Sequence, residues 1–227
     1  MNYNLQLEKV GGRLKEILTY KILELEERQK ELPLVKILAE LKNGDFVIRD
    51  FVLALNKPNQ ISLIAEVKKA SPSLGDINIK VDIIEQAKKY QKAGADAISI
   101  LTDKKFFKGN IKFLQQIKNT VSIPVLRKDF IFSPYQVYEA KLFGADAILL
   151  MATILPIEQL IDLVHLTHEL GLKCLVETHT TIDMAKALQT NAKVIGINAR
   201  DLKTFKVDLQ NVIDLAVQVP QDQILIA

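Results

Sequence analysis

Two copies of one pentapeptide, Gly94-Ala95-Asp96-Ala97-Ile98 and Gly144-Ala145-Asp146-Ala147-Ile148, decide the fold of this 227-residue chain. Each copy follows an amphipathic stretch and leads into an apolar run. We expect the glycine to end a helix in the left-handed conformation, and the small residues after it to allow a tight turn into a strand. Strands that are entered repeatedly through the same turn favour a (β/α) barrel over an open doubly wound sheet.

The alternation of helix and strand patterns continues from residue 61 to the end of the sequence. Continuously apolar strands suit a parallel sheet covered on both faces, and their alternation with helices is typical of βαβ units. The predicted strands are 63–67, 97–101, 125–126, 147–151, 174–176, 194–197 and 224–227. The predicted helices between them are 81–93, 111–118, 134–143, 157–170, 182–189 and 209–218.

The amino-terminal part of the chain has a different pattern. Helical periodicity over 14–32, 34–41 and 46–55 predicts an N-terminal helical extension, residues 1–60, on a single barrel domain that continues through residues 61–227. A (β/α)8 TIM barrel has eight strands, each followed by a helix. We therefore predict an α/β fold, a TIM barrel with strands 1 to 7 present and the last one and a half βα units missing from this chain. An open sheet is the alternative.

Composition excludes several classes of protein. The hydrophobic fraction of 48% and the charged fraction of 25% match an average globular chain and not a disordered or fibrous one. The single cysteine, Cys174, cannot form an internal disulfide or a thiolate zinc site, which predicts a cytoplasmic protein. A net charge of +3 gives no argument for nucleic acid. Neither an export signal nor an apolar run long enough to span a membrane is expected.

Polar residues at the ends of four predicted strands are the candidates for chemistry, because a parallel barrel carries its active site at the carboxyl ends of its strands. They are Glu66, Lys68, Lys128, Glu177, Asn198 and Arg200. Carboxylates favour the charged form of a lysine whereas partial burial disfavours it, and this mixture suits general acid–base catalysis near neutral pH. For any one of these residues, a solvated rim of ordinary ion pairs is the alternative.

Histidines and aromatic residues are further candidates for a functional site. The i, i+3 spacing of His165 and His168 predicts surface side chains, and His179 has no companion pattern, so no metal site is expected. Phe106-Phe107 and Phe130 lie just beyond predicted strand ends. They either pack under a loop or form an apolar wall for an aromatic substrate.

Five segments resemble the indole-3-glycerol phosphate synthase family in order and spacing. They are IAEVKKASPS at 64–73, LTD at 101–103 with FFKG at 106–109, LRKDF at 126–130, LVE at 175–177 and IGINARDL at 195–202. The resemblance runs from about Leu14 to the end of the sequence. It implies a carboxy-lyase of tryptophan biosynthesis that closes the pyrrole ring of 1-(2-carboxyphenylamino)-1-deoxyribulose 5-phosphate, with loss of carbon dioxide and water.

The resemblance also implies a role for each residue that matches the family's motifs. The implied catalytic residues are Lys128, Glu177, Lys68, Glu66 and Asn198, with Lys128 as the acid at the substrate ketone. The implied substrate-binding residues are Ser71, Phe107, Phe130, Leu149 and Arg200. The family pattern implies no cofactor or metal. It implies a small phosphorylated substrate, no nucleic acid or membrane partner, and a monomer when full length.

Departures from the family pattern leave two alternatives open. Ala199, Asp201 and Lys206 replace residues that are commonly Asn, Asn and Glu in the family. The family's Glu-Ser-Gly motif after strand seven and Gly-Ser pair after strand eight, which supply a glutamate and much of the phosphate cradle, have no counterpart in the printed sequence. One alternative is a catalytically silent truncated barrel that only binds anthranilate-like anions. The other is a different phosphosugar barrel enzyme, such as phosphoribosylanthranilate isomerase.

Overall fold

The computed structural model of the protein describes residues 5–8, 10–71, 75–77, 79–200 and 206–227. Its helices are α1 (Gly12–Glu31), α2 (Leu34–Asn43), α3 (Phe51–Leu55), α4 (Ile83–Lys92), α5 (Lys104–Phe107), α6 (Lys112–Lys118), α7 (Pro134–Leu142), α8 (Ile157–Glu169), α9 (Thr181–Leu188) and α10 (Leu209–Ala216). Its strands are β1 (Ile64–Val67), β2 (Ala70–Ser71), β3 (Gly75–Asp76), β4 (Ala97–Leu101), β5 (Val125–Lys128), β6 (Ala147–Met151), β7 (Lys173–Thr178), β8 (Val194–Ile197) and β9 (Ile224–Ile226).

Seven of the strands form one parallel sheet in the order β1-β4-β5-β6-β7-β8-β9. At least one helix lies between each consecutive pair, so the predicted βα alternation is confirmed. Residues from all seven strands line one interior cavity of 220 Å³, which means that the sheet is curled with its inner face turned toward itself. These residues are Ile64, Ser99, Leu126, Leu149, Leu175, Gly196 and Ile226. The architecture is an α/β fold with a barrel-like sheet.

The glycines of the repeated pentapeptide end their helices as predicted. Gly94 has φ +94° and Gly144 has φ +85°, both in the left-handed region that favours glycine. The next N–H in each copy reaches back into the preceding helix: Ala95 donates to the Tyr90 carbonyl, and Ala145 donates to the Ala140 carbonyl, both at 3.0 Å. These bonds satisfy carbonyls that a helix end otherwise leaves unpaired.

The aspartates of the pentapeptide hold the amino ends of neighbouring strands. Asp96 accepts a hydrogen bond from the backbone N–H of Leu63 at 2.8 Å and also binds the Lys57 ammonium. Asp146 accepts from the N–H of Val125 at 2.8 Å in the same way. In both copies of the pentapeptide, the glycine forms the turn and the aspartate accepts from an N–H at the amino end of the neighbouring strand, so the two copies have the same structural role.

Helix α1 lies over the carboxyl ends of the strands. Its buried face includes Leu14, Leu18 and Leu25, which join the main hydrophobic core. Burying each such leucine contributes roughly 1.5–3 kcal/mol. At the far end of the helix, Arg28 pairs with Glu139 of α7 at 2.6 Å. The extension is therefore held by both apolar and ionic contacts.

Several sequence-based boundaries were wrong, each for a local reason. The strand predicted at 125–126 continues to Lys128, because the polar residues Arg127 and Lys128 still pair with β4. The helix predicted at 46–55 begins only at Phe51, where the Asp50 side chain caps it by accepting from Leu53 N–H at 2.9 Å. The short helix α5 and the β2–β3 hairpin were missed. Within the described ranges, no helix is both long and apolar enough to cross a membrane.

Candidate active site

A cavity of 230 Å³ opens where the parallel strands end, beneath α1. All ten site residues predicted from the sequence line it: Glu66, Lys68, Ser71, Phe107, Lys128, Phe130, Leu149, Glu177, Asn198 and Arg200. Six further residues complete the lining: Arg13, Leu14, Ile17, Leu101, Asp129 and Met151. The structure therefore brings residues from distant segments of the chain to one place.

Strand alternation explains why charged side chains meet inside the cavity. In β1, Ala65 and Val67 are buried, while Ile64 and Glu66 face the interior of the curled sheet. The same alternation directs Lys128 inward at the end of β5 and Glu177 inward near the end of β7. Each of these three strands, β1, β5 and β7, therefore places one ionisable group at the mouth of the cavity.

Glu66 joins the two lysines of the site. One carboxylate oxygen lies 2.6 Å from Lys68 Nζ, and the other lies 2.8 Å from Lys128 Nζ. The side chains of Glu66, Lys68 and Lys128 keep 25%, 32% and 38% exposure respectively. Since none of them is fully enclosed, both ammonium groups can still reach a ligand in the cavity.

The charges in the site fix the protonation states of its central pair. Burial raises the pKa of the Glu66 carboxyl, but Lys128 and Lys68 outweigh burial, and the pKa lies below its ordinary value. Burial lowers the pKa of the Lys128 ammonium, but Glu66 and Glu177 outweigh it and hold that pKa above its ordinary value. At neutral pH Glu66 is a carboxylate and Lys128 is an ammonium that can give a proton to an acceptor in the cavity.

The opposite side of the cavity is polar and built from the ends of β7 and β8. Asn198 Nδ2 donates to Glu177 Oε1 at 3.3 Å, and the backbone N–H of Arg200 donates to Asn198 Oδ1 at 2.9 Å. His179 Nδ1 lies 3.0 Å from the Asn198 carbonyl oxygen. These contacts orient the Asn198 amide while the long Glu177–Asn198 bond leaves the Glu177 carboxylate with capacity for another partner.

Two of the three aromatic residues, Phe107 and Phe130, line the cavity, whereas the Phe106 ring packs against Tyr20. The rings of Phe107 and Phe130 have centroids 6.2 Å apart and an interplanar angle of 42°. Leu149 lies in the same lining, and α1 contributes Leu14 and Ile17. One side of the cavity is thus apolar and can accept a planar ring, while the other side carries charge.

A sequence model of the indole-3-glycerol phosphate synthase family matches residues 14–227. This chain belongs to that family. An indole-3-glycerol phosphate synthase of Dehalococcoides mccartyi is 44% identical over 217 residues, which is 94% of this chain and 83% of the relative. The synthase of Caldanaerobacter subterraneus is 44% identical over 215 residues, covering 94% and 82%. That of Rhodopirellula baltica is 43% identical over 198 residues, covering 87% and 76%.

Solved structures of much lower sequence identity share the fold of this synthase family member. A structure described as native KDPGal has a TM-score of 0.51 at 16% identity, covering 74% of this chain and 72% of that one. Methylornithine synthase has a TM-score of 0.52 at 10% identity, covering 86% and 75%. At these identities the likeness concerns the fold alone.

Several features of this synthase family member were not found from its sequence. Arg13, Leu14 and Ile17 line the cavity from the extension, and Lys21 lies behind it. The sequence signal for Lys21 is its place on the apolar stripe of α1, three residues after Leu18 and four before Leu25, where a buried residue is expected. Pro72, Ser73, Asp201 and Leu202 of the quoted motifs lie outside the described residues.

His165, His168 and Cys174 stand apart from the cavity, whereas His179 contacts the backbone of Asn198 on its polar side. His165 is exposed, and His168 Nε2 lies 3.7 Å from the buried Cys174 Sγ. Burial raises the pKa of the Cys174 thiol to about 12, which makes it unreactive at neutral pH. Among the residues with described positions, no group of three or more His, Cys, Asp and Glu is arranged to hold a metal ion.

Proposed function

We propose that this protein is an indole-3-glycerol phosphate synthase that converts 1-(2-carboxyphenylamino)-1-deoxyribulose 5-phosphate into indole-3-glycerol phosphate, carbon dioxide and water. Family membership supports the reaction. The observation that carries the proposal at the level of the site is Glu66, which holds two lysines beside an apolar wall. That arrangement suits a substrate with an aromatic ring at one end and a ketone and anionic groups at the other.

Ring closure is assigned to Lys128. The ring carbon that bears the carboxylate attacks the ketone carbon, a carbon–carbon bond forms, and the carbonyl oxygen takes a proton from Lys128 Nζ to become a hydroxyl. Glu66 and Glu177 keep Lys128 protonated for this step. Carbon dioxide then leaves, and the electron pair of its bond restores the aromatic ring. A well-placed general acid contributes about 10²–10⁴-fold to such a rate.

Dehydration is assigned to a second acid and a base. The hydroxyl leaves as water with a proton from Lys68, whose ammonium lies 2.6 Å from Glu66. Glu177 removes a proton from the CH2 carbon that lies between the nitrogen and the carbon bearing the departing hydroxyl. The double bond of the pyrrole ring forms between these two carbons. The spare acceptor capacity of Glu177 suits it to this task.

Substrate binding is assigned to the remaining cavity residues. Phe107, Phe130 and Leu149 hold the aromatic ring by apolar contact. Ser71 lies near the substrate carboxylate, Asn198 binds hydroxyl groups, and Arg200 braces the carboxylates of the site. The buried position of Ser71 and the Asn198–Glu177 contact support these assignments.

The proposal extends to the architecture and setting of the enzyme. The consecutive order of the seven parallel strands supports a complete (β/α)8 barrel in which one further strand joins β9 to β1. We place the enzyme in the cytoplasm as a monomer, which agrees with its single buried cysteine.

The test is a turnover assay with the carboxyl group of the substrate isotopically labelled. The protein contains no tryptophan, so no indole emission of its own overlaps the emission of the product. We expect one labelled carbon dioxide for each indole formed. Binding of anthranilate without turnover would favour a silent binding module, and consumption of substrate without carbon dioxide release would favour an isomerase.

A further inference from the structure

Lys21 is a buried lysine on the inner face of α1, outside the cavity lining. Its side chain is 3% exposed, and Nζ lies 2.8 Å from Asp103 and 3.0 Å from Asp129. Glu24, one turn later on the same helix, is 2.9 Å away. A lysine is rarely this buried unless several carboxylates compensate its charge, so its two aspartate partners indicate what it holds in place.

Asp103 fixes the backbone that carries one of the two phenyl rings. It is the cap of α5, and its Oδ1 accepts from the N–H groups of Phe106 at 2.7 Å and Phe107 at 3.2 Å. The other oxygen, Oδ2, contacts Lys21. The position of Phe107 therefore depends on a carboxylate that Lys21 neutralises.

Asp129 fixes the second ring in the same manner. Its Oδ1 accepts from the N–H of Phe130 at 2.8 Å and also contacts Lys21. Its Oδ2 is held by Arg127 at 3.3 Å and by the Thr102 hydroxyl. Phe107 and Phe130 come from different βα loops, and one ammonium group links the two carboxylates that hold them.

We propose that Lys21 is a positioning residue that sets the spacing of the Phe107 and Phe130 rings, and hence the fit of the aromatic part of the ligand. The inference rests on the proposed function only for the identity of that ligand. Lys21 does not line the cavity, so it acts through Asp103 and Asp129. This role also explains how the N-terminal helical extension contributes to ligand recognition, because α1 supplies the ammonium group that Asp103 and Asp129 share.

Lys118 provides a matched comparison for a purely structural role. It too is largely buried, at 12% exposure, and pairs with a buried aspartate, Asp146. That pair lies at the amino ends of the strands, away from the rings. Lys21→Met and Lys118→Met therefore both remove a buried ammonium, but Lys21→Met alone is expected to disturb the aromatic wall.

The test measures anthranilate binding by its own fluorescence, together with kcat and KM. Lys21→Met should weaken anthranilate binding and raise KM by about tenfold, the scale of one well-placed aromatic contact, with a smaller change in kcat. Lys21→Arg should recover part of the loss. Lys118→Met should bind anthranilate as the unmodified protein does. The inference is overturned if Lys21→Met binds normally, or if Lys118→Met is weakened equally.

A second variant covers the case in which Lys21→Met does not fold. Lys21→Met/Asp103→Asn removes one charge of each sign, and asparagine still caps a helix well. We expect the same tenfold loss of anthranilate affinity, and normal affinity in the folded double variant contradicts the inference. If the unmodified protein forms no indole but its anthranilate binding still depends on Lys21, then the proposed function fails and the positioning role stands.

Discussion

Two aspartates at the amino ends of the parallel sheet and two glutamates at its carboxyl ends are held in opposite ways. At the amino ends, Asp96 and Asp146 are 8% and 0% exposed; Asp96 accepts from one backbone N–H group and Asp146 from two, and each also binds a lysine. At the carboxyl ends, Glu66 is 25% exposed and is held by lysine side chains, while Glu177 has one long bond to Asn198. The aspartates are saturated by the fold, whereas the glutamates keep acceptor capacity beside a cavity.

All four residues are carboxylates, so their charge does not distinguish a structural role from a functional one. The groups that bind each carboxylate do. A carboxylate bound by the main chain cannot leave its position without exposing unpaired N–H groups, so it stabilises the fold. A carboxylate bound by flexible ammonium groups can exchange them for a ligand. Variants at the two ends should therefore separate activity from stability, and four predictions test this in order of expected size.

Lys128→Ala should reduce turnover by about 10²–10⁴-fold with little change in the thermal midpoint. Lys57→Ala is the matched control, because Lys57 pairs with Asp96 at the other end and is 42% exposed, close to the 38% of Lys128. Steady-state kinetics and thermal unfolding of both variants are the measurements. Turnover near that of the unmodified protein in Lys128→Ala removes it from the catalytic residues.

Asp146→Ala should have the converse effect. It leaves the buried Lys118 ammonium and the N–H groups of Val125 and Arg49 without their acceptor. Breaking a buried pair in this way costs about 3–5 kcal/mol, which denaturant unfolding would measure. The folded fraction should keep its kcat. A loss of kcat without a loss of stability would contradict the division between the two ends.

Glu177→Gln should lower kcat by roughly tenfold to a hundredfold while KM changes little. Glutamine keeps the shape of the side chain and can still accept from Asn198, so the substitution removes charge and basicity alone. Stability should stay within about 0.5 kcal/mol, as for most partly exposed sites. A raised KM at unchanged kcat would instead assign Glu177 to binding.

Sequence reasoning located the cavity residues because their signal is local. An apolar run followed by a charged residue marks a strand end, and parallel strands bring their ends together, so Glu66, Lys128 and Glu177 could be grouped from the sequence alone. The sequence signal for Asp96 and Asp146 is equally local, because both belong to the repeated pentapeptide. The repeat alone did not reveal that Asp96 and Asp146 bind backbone N–H groups of the neighbouring strand.

The parts that sequence reasoning missed depend on pairing across the chain. Nothing near Lys21 indicates Asp129 as its partner, because the contact exists only once α1 is laid over the strand ends. The short helix α5 begins at the Asp103 cap and is four residues long, too short for periodicity to register. The apolar run at 125–126 predicts only half of β5, because the backbone of the polar residues Arg127 and Lys128 continues the ladder.

Of the four variants, Asp96→Asn should have the smallest effect, which is a loss of protein stability. The pH dependence of that loss tests how Asp96 is held at the amino ends of the strands. Burial raises the pKa of Asp96, but Lys57 and the Leu63 N–H outweigh it, so the folded pKa lies below the ordinary 3.8. In acid the unfolded chain therefore binds more protons than the folded one. The stabilisation by Asp96 is complete above its unfolded pKa and is lost as pH falls through the folded pKa.

The variant should accordingly be less stable than the unmodified protein by about 1 kcal/mol at neutral pH, and the difference should shrink as the pH falls below 4. The cost is modest because an asparagine oxygen can still accept from Leu63, while Lys57, 42% exposed, can turn to water. Lys118, the partner of Asp146, is only 12% exposed and cannot turn to water in this way. Urea unfolding from pH 7 to pH 2.5 measures both curves. Two curves that stay parallel into acid would show that the charge of Asp96 does not contribute to the difference, which would contradict the prediction.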